Sequence, residues 1–206
     1  MLNNPYIQAE FLKSAARVEQ LPADTGYEVA FAGRSNAGKS SALNCLTANK
    51  RLARTSKTPG RTQLINVFTV KDVDHRLIDL PGYGYAKVTL QTKLDWQKHL
   101  AHYLEVRASL KCLVILMDCR HPLKESDQML VQWAVDRGLA IHLILTKADK
   151  LSRSQIQQTV QKVRQYCARL PHTTEDYPHP TVQALSTLKK QGIDDLIEVL
   201  DHWFEW

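Results

Sequence analysis

No apolar run in the chain approaches the roughly 20 residues needed to cross a bilayer. The opening Met1-Leu2-Asn3-Asn4-Pro5 lacks a basic region followed by an apolar stretch, so neither an anchor nor a signal peptide is expected. Cysteine is scarce: Cys45, Cys112, Cys119 and Cys167 form no C-x-x-C pair. That argues against a disulfide scaffold and for reduced thiols in a cytoplasmic protein. Cys119 and His121 stand close together, but no second ligand pair accompanies them, so a zinc centre is not expected. Repeats and low-complexity stretches are also missing. The most pointed absence is of acid, since no Asp or Glu occurs from Val29 to Lys71. That stretch carries Arg34, Lys39, Lys50, Arg51, Arg54, Lys57, Arg61 and Lys71, a charge of +8, so the rest of a chain of net charge +6 sums to −2.

What is present is a series of three short runs in one order. Gly33-Arg34-Ser35-Asn36-Ala37-Gly38-Lys39-Ser40 fits G-x-x-x-x-G-K-[ST]. An apolar segment, Tyr27 to Ala32, precedes it, and Ala42, Leu43 and Leu46 follow at helical spacing, so a strand leads in and a helix leads out. Two glycines let the backbone bend until several N–H groups point at phosphate oxygens, and the helix N-terminus adds a favourable dipole. Lys39 is expected to bridge β- and γ-phosphates and Ser40 to ligate Mg²⁺. Downstream, Asp79-Leu80-Pro81-Gly82 closes a second strand, putting the Asp79 carboxylate on the metal side and the Gly82 N–H on the γ-phosphate. Alone, Pro81-Gly82 is an ordinary turn signal; its meaning comes from its place after the phosphate loop.

The third run, Thr146-Lys147-Ala148-Asp149, follows the apolar strand Ile141 to Leu145. An ionised Asp149 can accept both the N1–H and N2–H of guanine, whereas adenine offers an acceptor at N1 and no amine at C2. A buried carboxylate left unpaired costs several kcal/mol, enough for roughly 10⁴-fold rejection of the wrong base. Taken together the runs imply a GTPase using GTP/GDP and Mg²⁺; a plain ATPase, the rival enzyme, is what Asp149 argues against.

The whole chain resembles the EngB (YihA, YsxC) family of bacterial ribosome-assembly GTPases, among the TrmE-Era-like P-loop GTPases. The residues that carry the resemblance are the 33–40 run, Lys57-Thr58-Pro59-Gly60-Arg61-Thr62-Gln63, Asp79-Leu80-Pro81-Gly82-Tyr83-Gly84-Tyr85-Ala86, Asp118-Cys119-Arg120-His121-Pro122-Leu123 and Leu188-Lys189-Lys190-Gln191-Gly192. It implies a second Mg²⁺ ligand at Thr62 in a first switch, with Gly60, Arg61, Gln63 and Leu64 beside the nucleotide, and a guanine-side loop at Leu185-Ser186-Thr187. Catalysis would rest on Lys39, Thr62 and Gly82. Two positions depart from general GTPases. Thr146 stands where Asn is usual, and its shorter reach predicts a weaker tie from base loop to phosphate loop and modest nucleotide affinity. Tyr83 replaces the Gln that orients the attacking water, which predicts a slow intrinsic rate. Asn36 is a candidate K⁺ ligand by the same resemblance, or else a residue that caps or supports the loop.

The expected fold is α/β, a doubly wound, mostly parallel six-stranded sheet with helices on both faces and the ligand at the carboxyl ends of the strands. Leu64 to Val70 and Val73 to Leu80 read as a hairpin, Lys111 to Met117 and Ile141 to Leu145 as buried strands, and Thr181 to Leu185 as a last short one. Leu90 to Val106, Glu125 to Arg137, Ser152 to Leu170 (with a Ser152/Gln155 capping box) and a helix through Ile193, Ile197, Leu200 and Phe204 lie between and after them. Residues 1–22 are expected to be an extension packing on a single GTPase domain, 23–206. Trp203 and Trp206 are expected to pack against the sheet rather than mark a binding surface. The acid-free basic stretch suits RNA phosphates, a solvated loop being the plainer alternative, and the partner expected is the large ribosomal subunit or its precursor, met by a monomer. A GTP-dependent protein-binding switch at the division septum is the rival function.

Overall fold

Strand alternation places two faces of one sheet against two separate hydrophobic clusters. In the computed structural model, which describes residues 4–53, 64–83, 90–171 and 179–206 (backbone only for 90–97), the strands are β1 Glu10–Ala15, β2 Tyr27–Gly33, β3 Ile65–Val70, β4 Asp72–Asp79, β5 Leu110–Asp118, β6 Ala140–Thr146 and β7 Thr181–Ala184. The helices are α1 Lys39–Leu46, α2 Leu90–Val106, α3 Glu125–Asp136, α4 Arg153–Cys167 and α5 Ile193–Trp203. Ala30 and Ala32 of β2 and Leu113, Ile115 and Met117 of β5 face α2, α3 and α4, meeting Tyr103, Val131 and Val163. Val29 and Phe31, with Val114 and Leu116, face the other way, against Leu43 of α1 and Leu196 and Leu200 of α5. Both faces of the central strands are thus apolar, as a strand between two helical layers requires.

The sheet has seven strands in the order β1-β3-β4-β2-β5-β6-β7. β4, β2, β5, β6 and β7 run parallel, while β3 and β1 are antiparallel additions at one edge. The count corrects the expected six: β1, from the first 22 residues, pairs with β3. Its residues are exposed up to Ala15, so it shows no apolar alternation, and what holds it is a backbone ladder to a strand some fifty positions later. The capping box is present as expected, Ser152 Oγ accepting from the Gln155 N–H at 3.3 Å and Gln155 Oε1 from the Ser152 N–H at 2.9 Å. Trp203 is partly buried against the α1/α5 cluster. Trp206, partly exposed, packs on buried Tyr6 and Phe204 and on His75 of β4, under the Lys71 ammonium at 3.6 Å.

Candidate functional site

Four strand tips carry the site. β2 ends at Gly33, where a Cβ would come within 2.9 Å of the Leu116 carbonyl, so only glycine lets the loop pass over β5. The loop then turns through Asn36 (φ 64°) and Gly38 (φ 93°) into α1, putting Lys39 and Ser40 in the first helical turn. Ser35 and Tyr83 fasten the loop from the side: the Ser35 N–H donates to the Tyr83 carbonyl at 2.9 Å and the Tyr83 N–H to the Gly33 carbonyl at 3.2 Å. Arg34 turns its guanidinium away, onto Asp127 and the His121 carbonyl, so what it offers a phosphate is backbone.

At the tip of β4, Asp79 is nearly buried and its carboxylate pairs with the Lys39 ammonium. Asn66 Nδ2 lies 3.4 Å from its other oxygen. Leu80 and Tyr83 are core residues and Pro81 is buried, so this run presents backbone and Asp79 rather than apolar side chains to a ligand. Gly60, Arg61, Thr62 and Gln63 lie outside the described residues, as do Arg54 and Lys57; Leu64 is 40 % exposed just before β3.

The tips of β5 and β6 build the other half of the site, expected from the sequence to face the base. Thr146 reaches further than its length suggests: Oγ1 is 2.5 Å from the Ala37 carbonyl and 3.1 Å from that of Met117. The expected weak tie is therefore corrected, because β6 and the phosphate loop approach closely enough for a short hydroxyl to span them, Thr146 packing where a Cβ on Gly38 would be 3.5 Å away. Lys147, in a left-handed conformation, donates to the Asn36 carbonyl at 2.7 Å and to Asp118 at 2.9 Å. Asp118 also receives Arg120 at 2.7 Å and 2.9 Å, and these charge-assisted bonds hold its carboxyl well below the usual range. Its role was not read from sequence, although the Asp118-to-Leu123 run that carries the resemblance begins with it; the structure sets it in register opposite Thr146. Cys119 Sγ, buried, donates to the Lys147 carbonyl at 3.3 Å, which commits it to the loop.

Asp149 follows in a short 3-10 turn and accepts from Ser186 Oγ at 2.7 Å. That bond lowers its pKa, so the carboxylate is ionised at neutral pH with acceptor capacity to spare. Leu185 anchors the 185–187 loop: its carbonyl accepts from the Ala148 N–H at 3.1 Å and its N–H donates to Leu145. Thr187 lies next to Ser186, its carbonyl 3.8 Å from Cys45 Sγ. Phosphate loop, Asp79, base loop and the 185–187 loop therefore share one edge of the sheet.

Residues 28–147 match the family described as "50S ribosome-binding GTPase". A "Probable GTP-binding protein EngB" of Hydrogenovibrio crunogenus is 52 % identical over 98 % of this chain and 92 % of its own length. The Escherichia coli protein of that name is 54 % identical over 99 % and 94 %. The chain belongs to the EngB family of GTP-binding proteins. It is a GTPase. Solved structures agree on the fold: a probable EngB protein aligns with TM-score 0.68 at 22 % identity, over 86 % of this chain and 98 % of that one. Era, solved with MgGDPNP and nucleotides of 16S ribosomal RNA, aligns with TM-score 0.65 at 19 % identity, over 87 % and 57 %.

Proposed function

We propose that this GTPase is a cytoplasmic switch in assembly of the large ribosomal subunit, docking in its GTP form and leaving after hydrolysis. The observation that carries the partner is charge: within the acid-free stretch from Val29 to Lys71, Arg51, Arg54, Lys57 and Arg61 crowd the first switch, so a cationic surface would be presented according to nucleotide state. The matched family's description and the RNA-bound structure of Era support the reading. Residues 23–206 would form the switch domain, with 1–22 as its extension.

The donors at Asp79 and Ser40 are a carboxylate and a hydroxyl, hard oxygens that suit Mg²⁺, and among the described residues no cluster of three His, Cys, Asp or Glu would favour a softer metal. Ser40, Asp79 and Thr62 would hold it. When bound, Mg²⁺ neutralises charge on the β- and γ-phosphate oxygens. Lys39, released from Asp79, stabilises the same oxygens, together with the phosphate-loop N–H groups and that of Gly82. Asp149 selects guanine. Among the described residues no side chain stands as a general base, so catalysis would rest on positioning and charge stabilisation. Asn36, exposed in the loop, is the residue through which K⁺ would accelerate hydrolysis; equal rates in KCl and NaCl remove that element.

Sedimentation with large ribosomal subunits and their precursors, in GDP and in a non-hydrolysable GTP analogue at two salt concentrations, tests the reading. Binding that requires the analogue and weakens with salt is expected. Absence of binding to either particle refutes it and moves the septum reading ahead.

A further inference from the structure

Asp127 lies at the start of α3, fully buried, and three separate parts of the chain converge on its carboxylate. Tyr83 Oη donates to Oδ1 at 3.0 Å, Arg34 Nε to both oxygens at 3.2 Å, and the Lys124 N–H to Oδ2 at 3.0 Å. The Lys124 bond is helix capping and accounts for one oxygen. Oδ1 is given to Tyr83, and Arg34 bridges both oxygens; these are residues of the second switch and of the phosphate loop. Those two are already joined through the backbone, because Tyr83 exchanges bonds with Gly33 and Ser35 on either side of Arg34. Backbone ladder, phenol, carboxylate and guanidinium therefore close a ring, and hydrogen bonds to a charged group are its strongest links. Burial pushes the Asp127 carboxyl up while Arg34 and Tyr83 hold it down, so the carboxylate depends on both partners.

We infer that Asp127 is a positioning residue for GTP hydrolysis, holding the Gly82 N–H against the phosphate loop through the neighbouring Tyr83. This rests on the reading of Gly82 as a γ-phosphate donor. The aromatic residue standing where other GTPases orient water is then a latch, its ring 3 % exposed and turned into the core. Through this latch α3 is tied directly to the nucleotide loop.

Tyr83→Phe removes one hydroxyl and keeps the ring. Affinities for GDP and for a non-hydrolysable GTP analogue, with single-turnover hydrolysis, are measured for it beside Gly82→Ala and Asp127→Asn. GDP has no γ-phosphate, so its affinity stays within about twofold, while analogue affinity and hydrolysis rate each fall by about fivefold or more. Because Tyr83 and Asp127 act as one unit, the Tyr83→Phe/Asp127→Asn double variant falls by less than the product of the two single effects. Arg34→Lys, which loses the two-oxygen fork, carries the test if Tyr83→Phe does not fold. A purely stabilising role would lower Tm and leave the analogue-to-GDP affinity ratio at its wild-type value, and that result overturns the inference. If Gly82→Ala lowers the ratio and Tyr83→Phe does not, the latch alone fails; if neither does, the γ-phosphate reading of Gly82 fails with it.

Discussion

Thr146→Val isolates the contact that joins the 146–149 turn to the 33–40 loop, the proposed base and phosphate sides of the site. Valine matches threonine in shape, so at a position 2 % exposed no cavity opens, and only the hydroxyl is lost. The Ala37 carbonyl, 2.5 Å away on a buried residue, is then left without this donor and out of reach of bulk water. Loss of such a bond costs about 1–3 kcal/mol. For a chain of 206 residues each kcal/mol moves Tm by about 2–4 °C, so a fall of about 2–12 °C is expected by differential scanning fluorimetry. The bond is remote from the γ-phosphate. GDP and a GTP analogue should therefore lose affinity by the same factor, about three- to tenfold, as the two loops lose their fixed spacing. A Tm within about 1 °C of wild type together with unchanged nucleotide affinity would refute the reasoning, since a made and buried hydrogen bond cannot be removed at no cost.

Asp149→Asn replaces an acceptor facing two guanine donors by an amide, so GTP affinity should fall by about 10²-fold or more while a xanthosine nucleotide, with a carbonyl at C2, is bound better than by wild type; competition titration reads both. His142 is buried, with Nε2 donating to Gln183 at 2.8 Å and Nδ1 accepting from Thr181 at 2.7 Å, and burial lowers its pKa to about 4. Between pH 6.5 and 4 the unfolded chain takes up a proton there and the folded chain does not, so stability drops by about 3 kcal/mol across that window on acidification. Urea denaturation at several pH values should show that slope reduced in His142→Gln. Asp118 works in the opposite direction: its lowered pKa contributes stability that is present above about pH 4 and lost as pH falls through its folded value. Asp118→Asn should therefore be less stable than wild type at pH 7, with the gap narrowing in acid. Gly192→Ala puts a side chain at φ 81° and 2.4 Å from the Ala184 carbonyl, which should cost about 2 kcal/mol or more and weaken nucleotide binding by displacing the 185–187 loop.

The parallel strands were legible because they are buried on both faces and read as near-continuous apolar runs between turn signals. Ile141 to Leu145 sits inside β6, Lys111 to Met117 inside β5, and Leu90 to Val106 matches α2 residue for residue. β1 was not legible, since an exposed edge strand is defined by its partner and not by its own pattern.

From sequence alone came the chemistry that needs only local order: a glycine loop between strand and helix, a carboxylate at a strand tip, and an acidic residue in a base-reading turn. These follow from spacing because neighbours in the chain must be neighbours in space. Tertiary structure alone decided the three contacts that join distant segments. Thr146 reaches Ala37 across 109 positions, Lys147 reaches Asn36 across 111, and Tyr83 and Arg34 meet on Asp127. Whether a short hydroxyl spans two loops, or a phenol faces water or a buried carboxylate, depends on ångström-scale distances between strands. Those distances are set by how the two helical layers pack on the sheet, and no local pattern encodes them.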